Sequence, residues 1–146
     1  MNLSEHFTLA EMCHSDYGVR HFIDNVPNEL QVEALRTLCE NVLQPLREAL
    51  GKPIKVNSGY RSPEINVAIG GSKNSQHMRG EAADITIKGM TVQELFDYVR
   101  MSSLPVDQII QEFDRWVHVS HSYAGAQRGQ FLYAKTVDGE TVYSKA

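Results

Sequence analysis

Two spacings of apolar residues run through the chain, one of period two and one of three to four, and together they predict a mixture of strands and helices. The clearest alternation is Glu81-Ala-Ala-Asp-Ile-Thr-Ile87, a predicted strand with Ala83, Ile85 and Ile87 on the core face and Ala82, Asp84 and Thr86 on the other. Trp116-Val-His-Val-Ser120 alternates the same way, with Val117 and Val119 opposed to Trp116, His118 and Ser120. Leu30, Ala34, Leu35, Leu38, Val42, Leu46 and Ala49 recur instead at helical steps. They predict a helix from Pro27 to Leu50, begun by Pro27, stopped by Gly51 and kinked near Gln44 by Pro45. Ser62-Pro63 caps a short helix running to Gly70-Gly71, and Thr91-Val-Gln-Glu94 is a capping box opening a helix through about Ser102. Further strands are predicted within 52–61, at Asp107–Phe113 in a hairpin with Trp116–Ser122, and at Gln130–Val137 and Glu140–Tyr143 around the Asp138-Gly139 turn. Residues 1–26 predict only a helical turn at Leu9–Cys13 followed by irregular chain.

Length and composition narrow the classes. A chain of 146 residues fits a single domain, 1–146, around one core. A net charge of −4 leaves no basic stripe for nucleic acid, and no apolar run is long enough to cross a bilayer. Cys13 and Cys39 form no disulfide framework and are expected as reduced thiols. His6, His14 and His21 lack ligand spacing and are expected to be structural or solvated.

The polar faces of the two clearest strands carry the candidate chemistry. His77 lies just before the Gly80 turn and can fold back on Asp84, a carboxylate set between small neighbours. Imidazole nitrogen and carboxylate oxygen are both ordinary zinc ligands, and His118 on the neighbouring polar face supplies a third. Three protein ligands leave a fourth position for water, the arrangement of a catalytic zinc. Water activation at such a centre needs a proton carrier, and Glu112 and Asp114 are the nearest candidates. A two-residue hairpin turn pairs Glu112 with Val117 and turns it away from His118. A three-residue loop or bulge pairs Glu112 directly with His118 and brings both into one cleft. Arg61 stands where strand gives way to turn, and its guanidinium can grip a carboxylate by two parallel hydrogen bonds or pair with Glu64 or Glu81. Ser75 can hold the turn or bond to Asp84, while Tyr60 and Trp116 can line the cleft or pack in the core. His121 faces away from His118 and is not expected to be a fourth ligand.

Ser58-Gly59-Tyr60-Arg61-Ser62, then Ser75-x-His77-x-x-Gly80-x-Ala82-x-Asp84, then Trp116-x-His118 stand in an order that resembles the zinc D-Ala-D-Ala carboxypeptidase family of peptidoglycan peptidases. That family includes VanX- and VanY-type enzymes and several phage endolysins, and the likeness is to its single-domain branch. The resemblance implies an α+β, Hedgehog/D,D-peptidase-like fold with a small antiparallel sheet packed against helices. It implies zinc held by His77, Asp84 and His118. It favours Glu112 over Asp114 as the catalytic carboxylate, although the Glu-Pro-Trp-His run of VanX-type enzymes is absent here. Arg61 would position a substrate carboxylate or stabilise the developing oxyanion, with Ser75, Tyr60 and Trp116 as further substrate-binding candidates. The implied substrate is a peptidoglycan stem peptide or cross-link, cut by a monomeric carboxypeptidase or endopeptidase. A catalytically silent zinc-binding recognition module of the same fold is the alternative. No secretory signal is visible at the N-terminus, so the expected route is cytoplasmic residence until a phage-type release, or export by an unrecognised path.

Overall fold

A computed structural model describes residues 1–146. The chain opens with two short strands, β1 (Asn2–Ser4) and β2 (Phe7–Thr8), then α1 (Leu9–Met12) and α2 (Asp16–His21). Only α1 was legible in the pattern of this region. The long helix starts later than Pro27 predicts: Asn28 is the cap, its side chain accepting from the Gln31 backbone N–H, and α3 spans Glu29–Leu38. At Cys39–Leu43 the helix widens into a π-turn, with the Gln44 N–H bonded to the Cys39 carbonyl, before α4 (Gln44–Leu50). The widened turn absorbs Pro45, whose missing N–H and ring would otherwise break a regular ladder. The expected kink is therefore present as a π-turn. Buried Gln44 explains the ordered N-terminus, accepting from the Ser4 hydroxyl at 2.9 Å and the His6 N–H at 2.8 Å.

Next come β3 (Lys55–Ser58), α5 (Pro63–Ala68) capped by Ser62, a 3-10 turn (Gln76–Arg79), β4 (Ala82–Thr86) and α6 (Val92–Met101) behind the Thr91–Glu94 capping box. Two hairpins follow: β5 (Gln108–Glu112) with β6 (Trp116–Ser120), and β7 (Gln130–Val137) with β8 (Glu140–Lys145). The architecture is α+β, as expected. The main sheet has six strands in the order β3-β4-β6-β5-β7-β8, and β5 and β7 run parallel inside an otherwise antiparallel set.

One face of this sheet is core. Ala83, Ile85, Ile109, Val117 and Val119 join Leu35, Leu38, Cys39 and Leu46 of the long helix and Leu95, Phe96 and Val99 of α6 in one buried cluster. Both cysteines are free thiols, and Cys39 has the packing role expected of it. The opposite face carries the even-numbered residues of β4, β5 and β6, because register pairs Asp84 with His118, His118 with Ile110, and Trp116 with Glu112. Burying the odd positions thus aims Asp84, His118 and Glu112 at the other side.

Candidate metal centre

Three donor atoms converge there, one each from His77, Asp84 and His118, all within 4.8 Å of one another. His77 comes from the 3-10 turn, Asp84 from β4 and His118 from β6, directly across the β4–β6 ladder. The turn that presents His77 is fixed from both ends. The Ser75 hydroxyl accepts from the His77 N–H at 3.2 Å, and Gly80 closes the turn at φ +75°. A Cβ on Gly80 would also lie 2.5 Å from the Gln31 carbonyl oxygen, so both the conformation and the space require glycine.

The protonation of His77 decides what the site can hold. Its Nδ1 lies 2.7 Å from the Gly59 carbonyl oxygen, which can only accept, so Nδ1 carries the hydrogen. In the neutral ring Nε2 then bears a lone pair. That nitrogen is buried, has no hydrogen-bond partner, and faces Asp84 Oδ1 at 3.2 Å. Two acceptors face each other across a gap that a cation would reconcile. His118 Nδ1 lies 3.1 Å from the same oxygen. A tetrahedral zinc with bonds near 2.1 Å sets its donors about 3.4 Å apart, and both separations are close to that edge. Burial works against the Asp84 carboxylate, but positive charge beside it, on His77 and His118 when they are protonated, outweighs burial and holds the carboxyl well below the usual range. The donor set fits a zinc ion.

The centre lies in a cleft of about 980 Å³. A smaller hollow of about 420 Å³ beside Cys13 and Phe22 contains none of the donors. Glu112 enters the cleft because the β5–β6 loop is three residues long, with Phe113 and Asp114 at φ +58° and +56°. The expectation that such a loop pairs Glu112 directly with His118 needs correction. Glu112 pairs with Trp116 and lies diagonal to His118, its Oε1 3.7 Å from His118 Nδ1. Burial, then the Asp84 charge, pushes the Glu112 carboxyl up to about 6, with His118 pulling the other way. Asp114 is engaged with Gln111, accepting from its side-chain amide N–H and donating its own backbone N–H to the Gln111 side-chain oxygen Oε1. Gln111 belongs to the core-facing register of β5 and in turn bonds Gln93 of α6, which leaves Glu112 as the cleft carboxylate beside the donors.

Arg61 also lines the cleft. Its Nε is buried without a partner, and no carboxylate lies within ion-pair distance; Glu81 is taken by Arg79 at 2.6 Å. Burial lowers the guanidinium pKa, while Asp84 and Glu112 pull it back up. Trp116 lines the cleft with its indole N–H buried and unpartnered. Ser75 is at the rim and supports His77 rather than Asp84. Tyr60 departs from the expected substrate-binding place: it is 4% exposed, belongs to the core cluster, and donates its backbone N–H to the Met12 carbonyl at 2.7 Å. His121 is not among the donors, its Nδ1 being 2.6 Å from the Pro105 carbonyl oxygen.

Two supports escaped the sequence reading. Gly59 orients His77 through its carbonyl, and a Cβ there would lie 2.2 Å from the Met12 carbonyl oxygen. Asp107, 4% exposed, accepts from the Arg128 backbone N–H and guanidinium and from Gln76 Nε2, the residue before His77. A glycine directly after a predicted strand was a usable signal for the first; nothing local marks the second.

Comparison with known proteins agrees with this geometry. Over 82 residues the chain is 42% identical to the zinc D-Ala-D-Ala carboxypeptidase of Streptomyces albus G, an alignment covering 54% of this chain and 30% of that protein. The chain thus spans under a third of that relative's length. The Peptidase M15 family model matches residues 5–120, a stretch that runs from just before β2 to the end of β6 and takes in every donor and Glu112, and so this chain belongs to the Peptidase M15 family.

Proposed function

We propose that the protein is a zinc-dependent peptidase acting on peptidoglycan stem peptides or cross-links, as a D,D-carboxypeptidase or endopeptidase. The observation that carries this reading is Glu112: a half-buried carboxyl pushed up to about 6, 3.7 Å from His118, in the same cleft as the three donors. A site built only to hold metal has no use for a further, unbonded carboxylate. The D-Ala-D-Ala specificity named for the Streptomyces relative supports the substrate class.

His77 Nε2, Asp84 Oδ1 and His118 Nδ1 would hold the zinc. A zinc ion there supplies a Lewis acid for the scissile carbonyl and lowers the pKa of water. Glu112 takes a proton from the attacking water at its carboxylate and delivers it to the leaving amine nitrogen. Arg61, a half-buried cation lacking an ion-pair partner, binds a peptide carboxylate or the oxygen that gains charge in the transition state. Trp116 and Phe113 line the same cleft, their rings edge to face at 6.3 Å, and give it an aromatic wall. A phage-type lysis role accommodates an extracellular substrate.

The test is mass spectrometry of peptidoglycan fragments released by zinc-loaded protein, a chelated control, and Glu112→Gln. Wild-type protein is expected to release fragments only with zinc, and their masses name the bond cut. Glu112→Gln is expected to keep one zinc per chain and lose at least about 100-fold in rate. Full activity in that variant refutes the role of Glu112. No fragments from fully zinc-loaded wild type refutes the wall peptidase and leaves a silent recognition module.

A further inference from the structure

The matched family stretch ends at Ser120, yet the cleft does not. Register carries its face two strands further. Ile110 of β5 pairs with Leu132 of β7, and Glu112 with Ala134. Ala134 in turn pairs with Tyr143 of β8, and Thr136 with Thr141. Trp116, Glu112, Ala134 and Tyr143 therefore form one row across four strands on the cleft side. Leu132, Thr141 and Tyr143 all line the cleft. Ala134 has only a methyl group, so the Tyr143 ring can lean across it toward Glu112. Glu112 and Tyr143 line the same cleft, and burial and then the Glu112 charge raise the Tyr143 phenol. Tyr143 is nevertheless 56% exposed, and no protein hydrogen bond engages its hydroxyl. An aromatic ring held at the mouth of a cleft with its hydroxyl free is built to meet a ligand.

We infer that the β7–β8 hairpin is the far wall of the peptide cleft, and that Tyr143 contacts the portion of an extended substrate on the amino side of the bond cut. The inference rests on the peptidase reading, with Arg61 taking the carboxylate end. Arg61 follows β3 at one end of the sheet order and Tyr143 is on β8 at the other, so a peptide anchored at Arg61 runs across the strands toward Tyr143. From β6, which carries His118, to β8 is three strand spacings of about 4.8 Å, roughly 14 Å, which an extended peptide covers in about four residues. The substrate class is accordingly a carboxylate-ended peptide extended by about four residues before the scissile bond, rather than a free dipeptide.

Trp116 is the sole tryptophan and lies in the same row, so its fluorescence reports occupancy of the cleft. The experiment titrates zinc-loaded Glu112→Gln protein with peptides ending in D-Ala-D-Ala, lengthened one residue at a time at the amino end, with calorimetry on the same pairs. Affinity is expected to rise with length and level off near four residues. Adding Tyr143→Ala is expected to weaken the longest peptide about ten-fold and flatten the length dependence. Val142→Ala, on the opposite face of β8, is expected to keep the parental profile. Affinity independent of length, or a length profile unchanged by Tyr143→Ala, overturns the inference and leaves the peptidase reading standing. Failure of every peptide to bind the parent protein overturns both.

Discussion

Replacing Asp107 with Asn tests whether the brace behind His77 is electrostatic. The Asp107 carboxylate is 4% exposed and accepts from Arg128 N at 2.9 Å, Arg128 Nη2 at 2.8 Å and Gln76 Nε2 at 2.9 Å, with Arg128 Nε at 3.1 Å. Asn keeps one acceptor oxygen and turns an amide toward the remaining donors, so about two charge-assisted bonds are lost. Each contributes about 1.5–3 kcal/mol when buried. The Arg128 side chain is 55% exposed and regains water, which brings the expected total down to about 2–3 kcal/mol. For a chain of this size that lowers Tm by roughly 5–10 °C. Hydrogen bonding to Arg128 first of all, against burial, depresses the Asp107 pKa in the folded state. A depressed folded pKa contributes stability that is fully present above the unfolded value, about 3.9, and is lost as pH falls through the folded value. Urea unfolding of both proteins from pH 7 down to pH 2 should therefore show a full gap at neutral pH that closes only below about pH 4. A gap under about 0.5 kcal/mol at pH 7, or one that stays constant down to pH 2, refutes the electrostatic account.

Three further outcomes follow from the site and the core. Arg61→Lys should lower kcat/KM about 100-fold on carboxylate-ended peptides and far less on their amides, because an ammonium cannot reproduce two parallel hydrogen bonds; equal losses on both would place Arg61 at the oxyanion instead. Gly59→Ala forces a methyl group to within 2.2 Å of the Met12 carbonyl oxygen and shifts the carbonyl that orients His77. It should cost about 1–3 kcal/mol in thermal unfolding and weaken zinc about ten-fold in a chelator competition, and unchanged zinc affinity would sever Gly59 from the site. Burial pushes the Cys39 thiol up to about 12 and Cys13 to about 11, so iodoacetamide at pH 8 should label both far more slowly in native protein than in urea, as read by mass spectrometry.

What the sequence made legible was what local physics decides. The alternation at 81–87 needs only a two-residue period and one buried face, and Ala83, Ile85 and Ile87 fill the core as that period requires. The Thr91–Glu94 capping box and the Asp138-Gly139 turn are short-range hydrogen-bond and dihedral devices, and both formed. The β5–β6 loop was harder because its left-handed residues are Phe113 and Asp114, with no glycine to signal them. The register that sets Glu112 beside the donors followed from that loop. The parallel pairing of β5 with β7 depends on strands that do not follow one another in the chain, and no periodicity encodes it. Which of its two readings Tyr60 takes was not legible, because its backbone is tied to the Met12 carbonyl, 48 positions earlier, and its ring joins the same core cluster as Met12. The start of α3 moved from Pro27 to Glu29 because Asn28 is the stronger cap.

The π-turn at Cys39–Leu43 has an evolutionary reading. A single residue inserted into a regular helix rotates everything after it by about 100°, which would turn Gln44 from Ser4 and His6 and carry Leu46 out of the core. A π-turn confines the extra residue to one wide loop of backbone and keeps both ends of the helix in phase. The same loop spares Pro45 its clash with the preceding turn. The dependence runs one way: deleting one residue at the exposed Glu40–Asn41 step would restore a regular ladder that Pro45 cannot join, so the shorter helix is open only to a chain that has first replaced Pro45.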